Sequence, residues 1–184
     1  YPHTMHMFLN TPTSIFYNKE VSGYDIEDKH LNELAMQVFD CADNNRCVTL
    51  IEEWLLSQLS TKPTDTAYRV NRMSAAIGKL LAAPHTLVTE LSATCCLSKK
   101  QFEREFYLHV GMKPKEYSRI VRFQKALWLM QHQQGKTNEA DLAYTSGYAD
   151  QSHLIREFKH LCGYTPLSLL EVSTPYSDLF TTPI

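Results

Sequence analysis

Apolar residues along this chain recur mainly at intervals of three and four, which predicts helices from about residue 31 to residue 172. Leu31, Leu34, Ala35, Val38 and Phe39 mark a first helix to about Ala42. Leu50, Ile51, Trp54, Leu55 and Leu59 mark a second, Cys47 to Leu59, with Glu52, Glu53 and Gln58 outside. The two form an acidic hairpin with Trp54 in its core. After a polar break at Pro63, Thr64 caps a helix that starts at Asp65. It carries Ala67, Val70, Met73, Ile77, Leu80 and Leu81 and ends before Pro84. Residues 1–28 read instead as extended and turn structure, with Thr4–Leu9 as a strand and Pro2, Pro12, Asn18 and Gly23 as punctuation. Such a segment cannot bury a core, and Tyr1 is no initiator Met, so it reads as the end of a further N-terminal domain.

Beyond residue 113 the apolar face widens. Pro114 starts a long helix to about His132, with Tyr117, Ile120, Val121, Phe123, Leu127, Trp128 and Met130 over a broad arc. Lys115, Arg119, Arg122 and Lys125 lie opposite; Arg122 reads either as a phosphate contact or as a brace in the core. A face so wide needs cover on more than one side, as in a strut between two small helical units. Gly135 and Lys136 break this helix, and Thr137 or Asn138 caps the next one. Ala140, Leu142 and Ala143 mark that short helix, Gly147 a turn, and Leu154, Phe158 and Leu161 a second helix from about Asp150. That is a helix-turn-helix, with small Ala143 at the close approach and Gly147 supplying a positive φ. His85–Gly111 repeats the arrangement through Val88, Leu91, a Ser98 cap, Phe102 and Phe106. A short helix, Leu167–Val172, closes the core, and residues 174–184 form a frayed tail.

Hydrophobic content of 43% and charged content of 21% fit a packed domain, and 184 residues hold one domain or one and part of another. The net charge of −2 disfavours nucleic acid until its distribution is read. Residues 81–170 carry 11 Lys+Arg against 8 Asp+Glu, whereas residues 1–80 carry 7 against 10. The basic excess therefore coincides with the helix-turn-helix region. The five cysteines lack CxxC or Cys/His ligand spacing and read as buried free thiols. His3, His6 and His30 have no acidic or Cys partner at metal-ligand spacing, and His109, His132 and His160 read as isolated. No apolar run is long enough to span a membrane. Gly-rich phosphate loops, GxSxG and HExxH are all missing, and Glu52-Glu53 diverge on a helix, so neither a catalytic residue, a cofactor nor a metal is expected.

The run Leu142, Ala143, Gly147, Tyr148, Asp150, Ser152, Leu154, Arg156, Phe158, Lys159, Gly163, Thr165 and Pro166 resembles, in register, the second helix-turn-helix of AraC-family transcription regulators. The earlier unit matches at Leu91, Ser98, Phe102, Arg104, Phe106, Gly111, Pro114 and Tyr117, and departs at Ser92, where Ala is usual, and Cys96, where Gly is usual. Arg122 and Ala126 match the family's linker helix. The resemblance implies double-stranded DNA as partner, with base contacts from Lys100, Glu103 and Arg104 and from Gln151, Ser152, Ile155 and Arg156. Lys99, Arg119, His153 and Lys159 are then the backbone set. Alternatively, Glu103 orients Arg104 or Lys99, and His153 only caps or packs.

The fold expected is mainly α: two helix-turn-helix units joined by a long linker helix, preceded by a helical hairpin and a short extended N-terminal segment. Its parts are a sensor-domain remnant (1–30), the hairpin (31–63), a connecting helix (64–84), the tandem domain (85–172) and the tail (173–184). The stretches PHTMHMFL and YDIED are similar to the end of a sensor type that precedes some AraC-like tandems. The function expected is a cytoplasmic, sequence-specific DNA-binding regulator with recognition helices in consecutive major grooves. A homodimer through residues 31–59 or a missing N-terminal domain, and RNA polymerase, are further candidate partners. Two alternatives stand: a protein-interaction or dimerisation module with structural helix-turn-helix units, and the DNA-binding half of a ligand-gated sensor.

Overall fold

A computed structural model describes residues 3–9, 11–132 and 138–172, with the backbone alone for Thr64 and Asp65. The described residues are helical and contain no strand. The helices are α1 (Lys29–Phe39), α2 (Asn44–Ser60), α3 (Thr64–Ala82), α4 (Val88–Thr94), α5 (Lys99–Val110), α6 (Pro114–His132), α7 (Glu139–Ser146), α8 (Gln151–Cys162) and α9 (Pro166–Val172). The expected break at Gly135 and Lys136, the candidate cap Thr137 and the tail at 173–184 fall outside the described residues.

Capping chemistry explains where several helices start. Asp28 accepts from the His30 and Leu31 N–H groups, and Asp43 from Asn45 N, so α1 and α2 begin before their first apolar residues. Thr64 is the first residue of α3, one position earlier than periodicity predicts.

Thr4–Leu9 is not a strand. Met5–Met7 form a 3-10 turn, with Met7 N bonded to Thr4 O and Phe8 N to Met5 O. With no neighbouring strand to complete a ladder, the backbone satisfies its donors locally. Further 3-10 turns lie at Thr13–Phe16 and Gly23–Asp25. Trp54 is half-buried, and no residue of α1 or α2 is fully buried, so the hairpin has no closed core of its own.

The chain divides into two compact units. The first comprises residues 1–76 and 92–113. Buried in it are Phe102 and Phe106, with ring centroids 5.6 Å apart, and Val70, Met73 and Cys95. Arg72 binds the end of α4 by donating from Nε to Cys95 O at 2.7 Å and from Nη2 to Cys96 O at 3.3 Å. The N-terminal segment lies against the end of α5, where Thr13 Oγ1 donates to Leu108 O at 2.8 Å. All five cysteines are free thiols, but only Cys95 is buried.

The second unit comprises residues 77–91 and those from Pro114 onward. Its core joins Ala126, Leu127, Leu129 and Met130 of α6 to Leu142, Ala143, Tyr148, Leu154, Phe158 and Leu169. Phe123 packs edge-on against Phe158 at 4.7 Å. Arg122 is a brace: its Nη1 donates to Ser118 Oγ at 2.9 Å and Pro84 O at 3.3 Å, and its guanidinium lies over the Tyr148 ring. Trp128 lies outside the core, stacked on His132 at 4.3 Å.

Candidate nucleic-acid interface

α5 and α8 are built to one plan. Ser98 Oγ accepts from Gln101 N while Gln101 Oε1 accepts from Ser98 N, a capping box. At the equivalent place Asp150 Oδ1 accepts from His153 N at 2.7 Å. Phe102 and Phe106 are buried in α5, and Leu154 and Phe158 in α8. Both helices end on a glycine at φ 83°, Gly111 and Gly163. Cap, buried pair and terminal glycine all recur 52 positions later.

The preceding turns correspond too, at an offset of 51. Leu97 N bonds to Ser92 O, and Tyr148 N to Ala143 O, each at 2.9 Å. These are the closures of a helix ending on a left-handed residue. That residue is Cys96 (φ 51°) in one turn and Gly147 (φ 86°) in the other. The departure at Cys96 is thus accommodated as a strained non-glycine, at a cost of about 1 kcal/mol.

With the inner faces held, the outer faces follow from 100° per residue. On α5, Lys99, Lys100, Glu103 and Arg104 are exposed. On α8, Gln151, Ser152, Arg156 and Lys159 are exposed, and His153 and Ile155 are half-buried. Arg104 Nη2 lies 3.4 Å from Glu105 Oε1, so its carboxylate neighbour is Glu105 and not Glu103. Arg119 Nε donates to Glu157 Oε2 at 2.7 Å. His153 packs edge-on against Tyr148, and its Nδ1 accepts from Ala149 N at 3.4 Å.

Residues 91–171 match a family model described as a helix-turn-helix domain. They form an AraC-type helix-turn-helix domain. The chain is similar to an uncharacterised HTH-type transcriptional regulator, YidL, of Escherichia coli (strain K12), at 29% identity over 168 residues. That match covers 86% of this chain and 53% of the relative. A second uncharacterised HTH-type transcriptional regulator, from Haemophilus influenzae, is 27% identical over 119 residues, 64% of this chain and 36% of its own length. The chain thus spans about half, or less, of the curated relatives it matches. No solved structure matches it.

Three features around this AraC-type domain escape a reading of the sequence. Gln151 Nε2 donates to Glu139 Oε2, a pairing between helices that no periodicity announces. A recess of about 690 Å³ is lined by His85, Arg122, Lys125, Thr145, Tyr148 and His153, and no Asp or Glu lines it. On the buried face of α5, His109 is not isolated. It is 2% exposed, its ring meets that of His6 at 4.9 Å, and Glu105 Oε2 lies 3.9 Å from its Nε2. Burial, aided by His6, lowers its pKa from 6.5 to about 4, against the opposing pull of Glu105. His3 shares this unit, its Nε2 2.7 Å from Ser74 Oγ. No group of His, Cys, Asp or Glu among the described residues has the arrangement of a metal site. Nor is any helix among them long and apolar enough to cross a membrane.

Proposed function

We propose that this chain reads an operator sequence in double-stranded DNA as part of a cytoplasmic, non-enzymatic transcription regulator, with α5 and α8 in consecutive major grooves. The observation that carries this is the duplicated outward stripe of donors and acceptors on two capped helices with buried inner faces. Lys100, Glu103 and Arg104 on α5, and Gln151, Ser152, Ile155 and Arg156 on α8, face base edges. Arg suits guanine, Gln suits adenine, Glu accepts from cytosine N4, and Ile155 meets a thymine methyl. Lys99, His153 and Lys159 take phosphates, joined by Arg119 in the orientation Glu157 imposes. The recess bearing Arg122 and Lys125 receives a further phosphate, since it presents cations and a hydroxyl without a carboxylate.

Selection from a randomised duplex pool tests this. Two enriched blocks with centres about 10 base pairs apart are expected; enrichment of one block alone, or of none, would overturn the tandem reading.

A second role belongs to the hairpin. On α1 and α2, Met36 (61%), Phe39 (83%), Val48 (55%) and Leu56 (66%) are exposed, apolar surface that a partner would cover. We place homodimerisation on α1 and α2, with RNA polymerase a further candidate partner. Sedimentation of Phe39→Glu against the parent tests this, because loss of a concentration-dependent dimer is the expected result. In this division 1–30 belongs to a sensor domain and 64–84 connects the hairpin to the DNA-binding part.

A further inference from the structure

Gln151 opens the second recognition helix, and its side-chain nitrogen donates to Oε2 of Glu139, the first residue of α7. A carboxylate accepts and does not donate, so its partner on Gln151 is the NH2 and not the carbonyl oxygen. The pairing therefore selects one of the two orientations that a glutamine amide otherwise adopts equally well. Glu139 is itself well placed to hold still. It sits in the first turn of α7, where the helix dipole favours a carboxylate, next to the Asn138 cap that accepts from Asp141 N at 2.8 Å.

We propose that Glu139 is a specificity-determining positioning residue, which ties back the NH2 of Gln151 so that its carbonyl oxygen faces the groove. This inference rests on the proposed placement of Gln151 against base edges. An outward carbonyl accepts from a base with a major-groove amino group, adenine N6 or cytosine N4. It meets the acceptor oxygens of guanine and thymine with repulsion. Adenine is preferred over cytosine, because the second N–H of the amide donates to its N7. Glu139 acts only through Gln151 in this scheme.

The test measures binding of the full chain to duplexes varied at the position whose base preference disappears in Gln151→Ala. In Glu139→Gln the new amide donates to the Gln151 carbonyl as readily as it accepts from the NH2. The ratio of adenine-or-cytosine to guanine-or-thymine duplexes should then fall about tenfold, the scale of one bidentate contact. Glu139→Gln combined with Gln151→Glu rebuilds a donor-to-carboxylate pair of the same net charge with an acceptor outward. It should restore the preference for an amino-bearing base, now with cytosine favoured over adenine. An unchanged ratio in Glu139→Gln, while Gln151→Ala abolishes it, would overturn the role of Glu139 and leave the base contact standing. If no position loses its preference in Gln151→Ala, Gln151 does not contact a base, and the reading on which this inference rests fails at that residue.

Discussion

Arg119 donates to Glu157 at 2.7 Å and so ties the linker helix to the second recognition helix. A guanidinium bonded to a carboxylate is charge-assisted, and side-chain exposures of 33% and 15% leave the pair partly shielded from water. After allowance for that exposure, it contributes about 1 kcal/mol. Both Arg119→Met and Glu157→Gln should lower stability in urea by about this amount. Only Arg119→Met should also reduce the salt dependence of DNA binding, by about one phosphate contact. If both variants keep the parent's salt slope, Arg119 serves the scaffold alone.

The proposed division between bases and backbone on α8 predicts two different losses. Arg156→Ala should cost about 1–3 kcal/mol on the best duplex and much less on a scrambled one. Lys159→Ala should weaken both alike and lower the salt slope by about one. Fluorescence anisotropy over a salt series distinguishes them; equal losses on both duplexes for Arg156→Ala would remove it from the base-reading set.

Gly111 and Gly163 form a controlled pair, since both cap a recognition helix at φ 83°. A Cβ on Gly163 meets nothing within 4 Å, whereas one on Gly111 would lie 2.8 Å from the Thr13 carbonyl oxygen. Gly163→Ala should cost about 1 kcal/mol of backbone strain. Gly111→Ala should cost a further ~1–3 kcal/mol for the overpacked contact. Cys96→Gly should go the other way, because it relieves a non-glycine residue at φ 51° and gains up to about 1 kcal/mol. Urea unfolding of the three variants checks the order, and equal losses at Gly111 and Gly163 would show that the N-terminal segment does not press on α5 in solution.

His109 makes the protein acid-sensitive. The unfolded chain takes up a proton on this residue near pH 6.5, but the folded chain does so only near pH 4. Between these values the unfolded state binds more protons, so stability is complete above about pH 6.5 and declines as pH falls toward 4. The full loss approaches about 3 kcal/mol. His3 and His6, also lowered by burial, act in the same direction. Urea midpoints at several pH values should fall with acid in the parent and fall less steeply in His109→Phe. Identical slopes would place the sensitivity elsewhere.

The helices and the AraC-type pattern were legible from local rules. Apolar spacing marks the face of α8 that carries Leu154 and Phe158, Gly147 and Cys96 stand where a turn needs positive φ, and Ser98 sits where orphan N–H groups need an acceptor. Each requirement is met within a few residues, so the sequence alone expresses it. Periodicity also says that a face is covered without saying by what, and there the tertiary path decided. It brought Glu139 to Gln151, Arg119 to Glu157 and His6 to His109, and it turned Arg122 into a half-buried brace on Ser118 and Pro84. It also left Trp54 half-buried and coiled Thr4–Leu9 into a turn, because the fate of a short segment depends on which neighbour satisfies its backbone and covers its side chains.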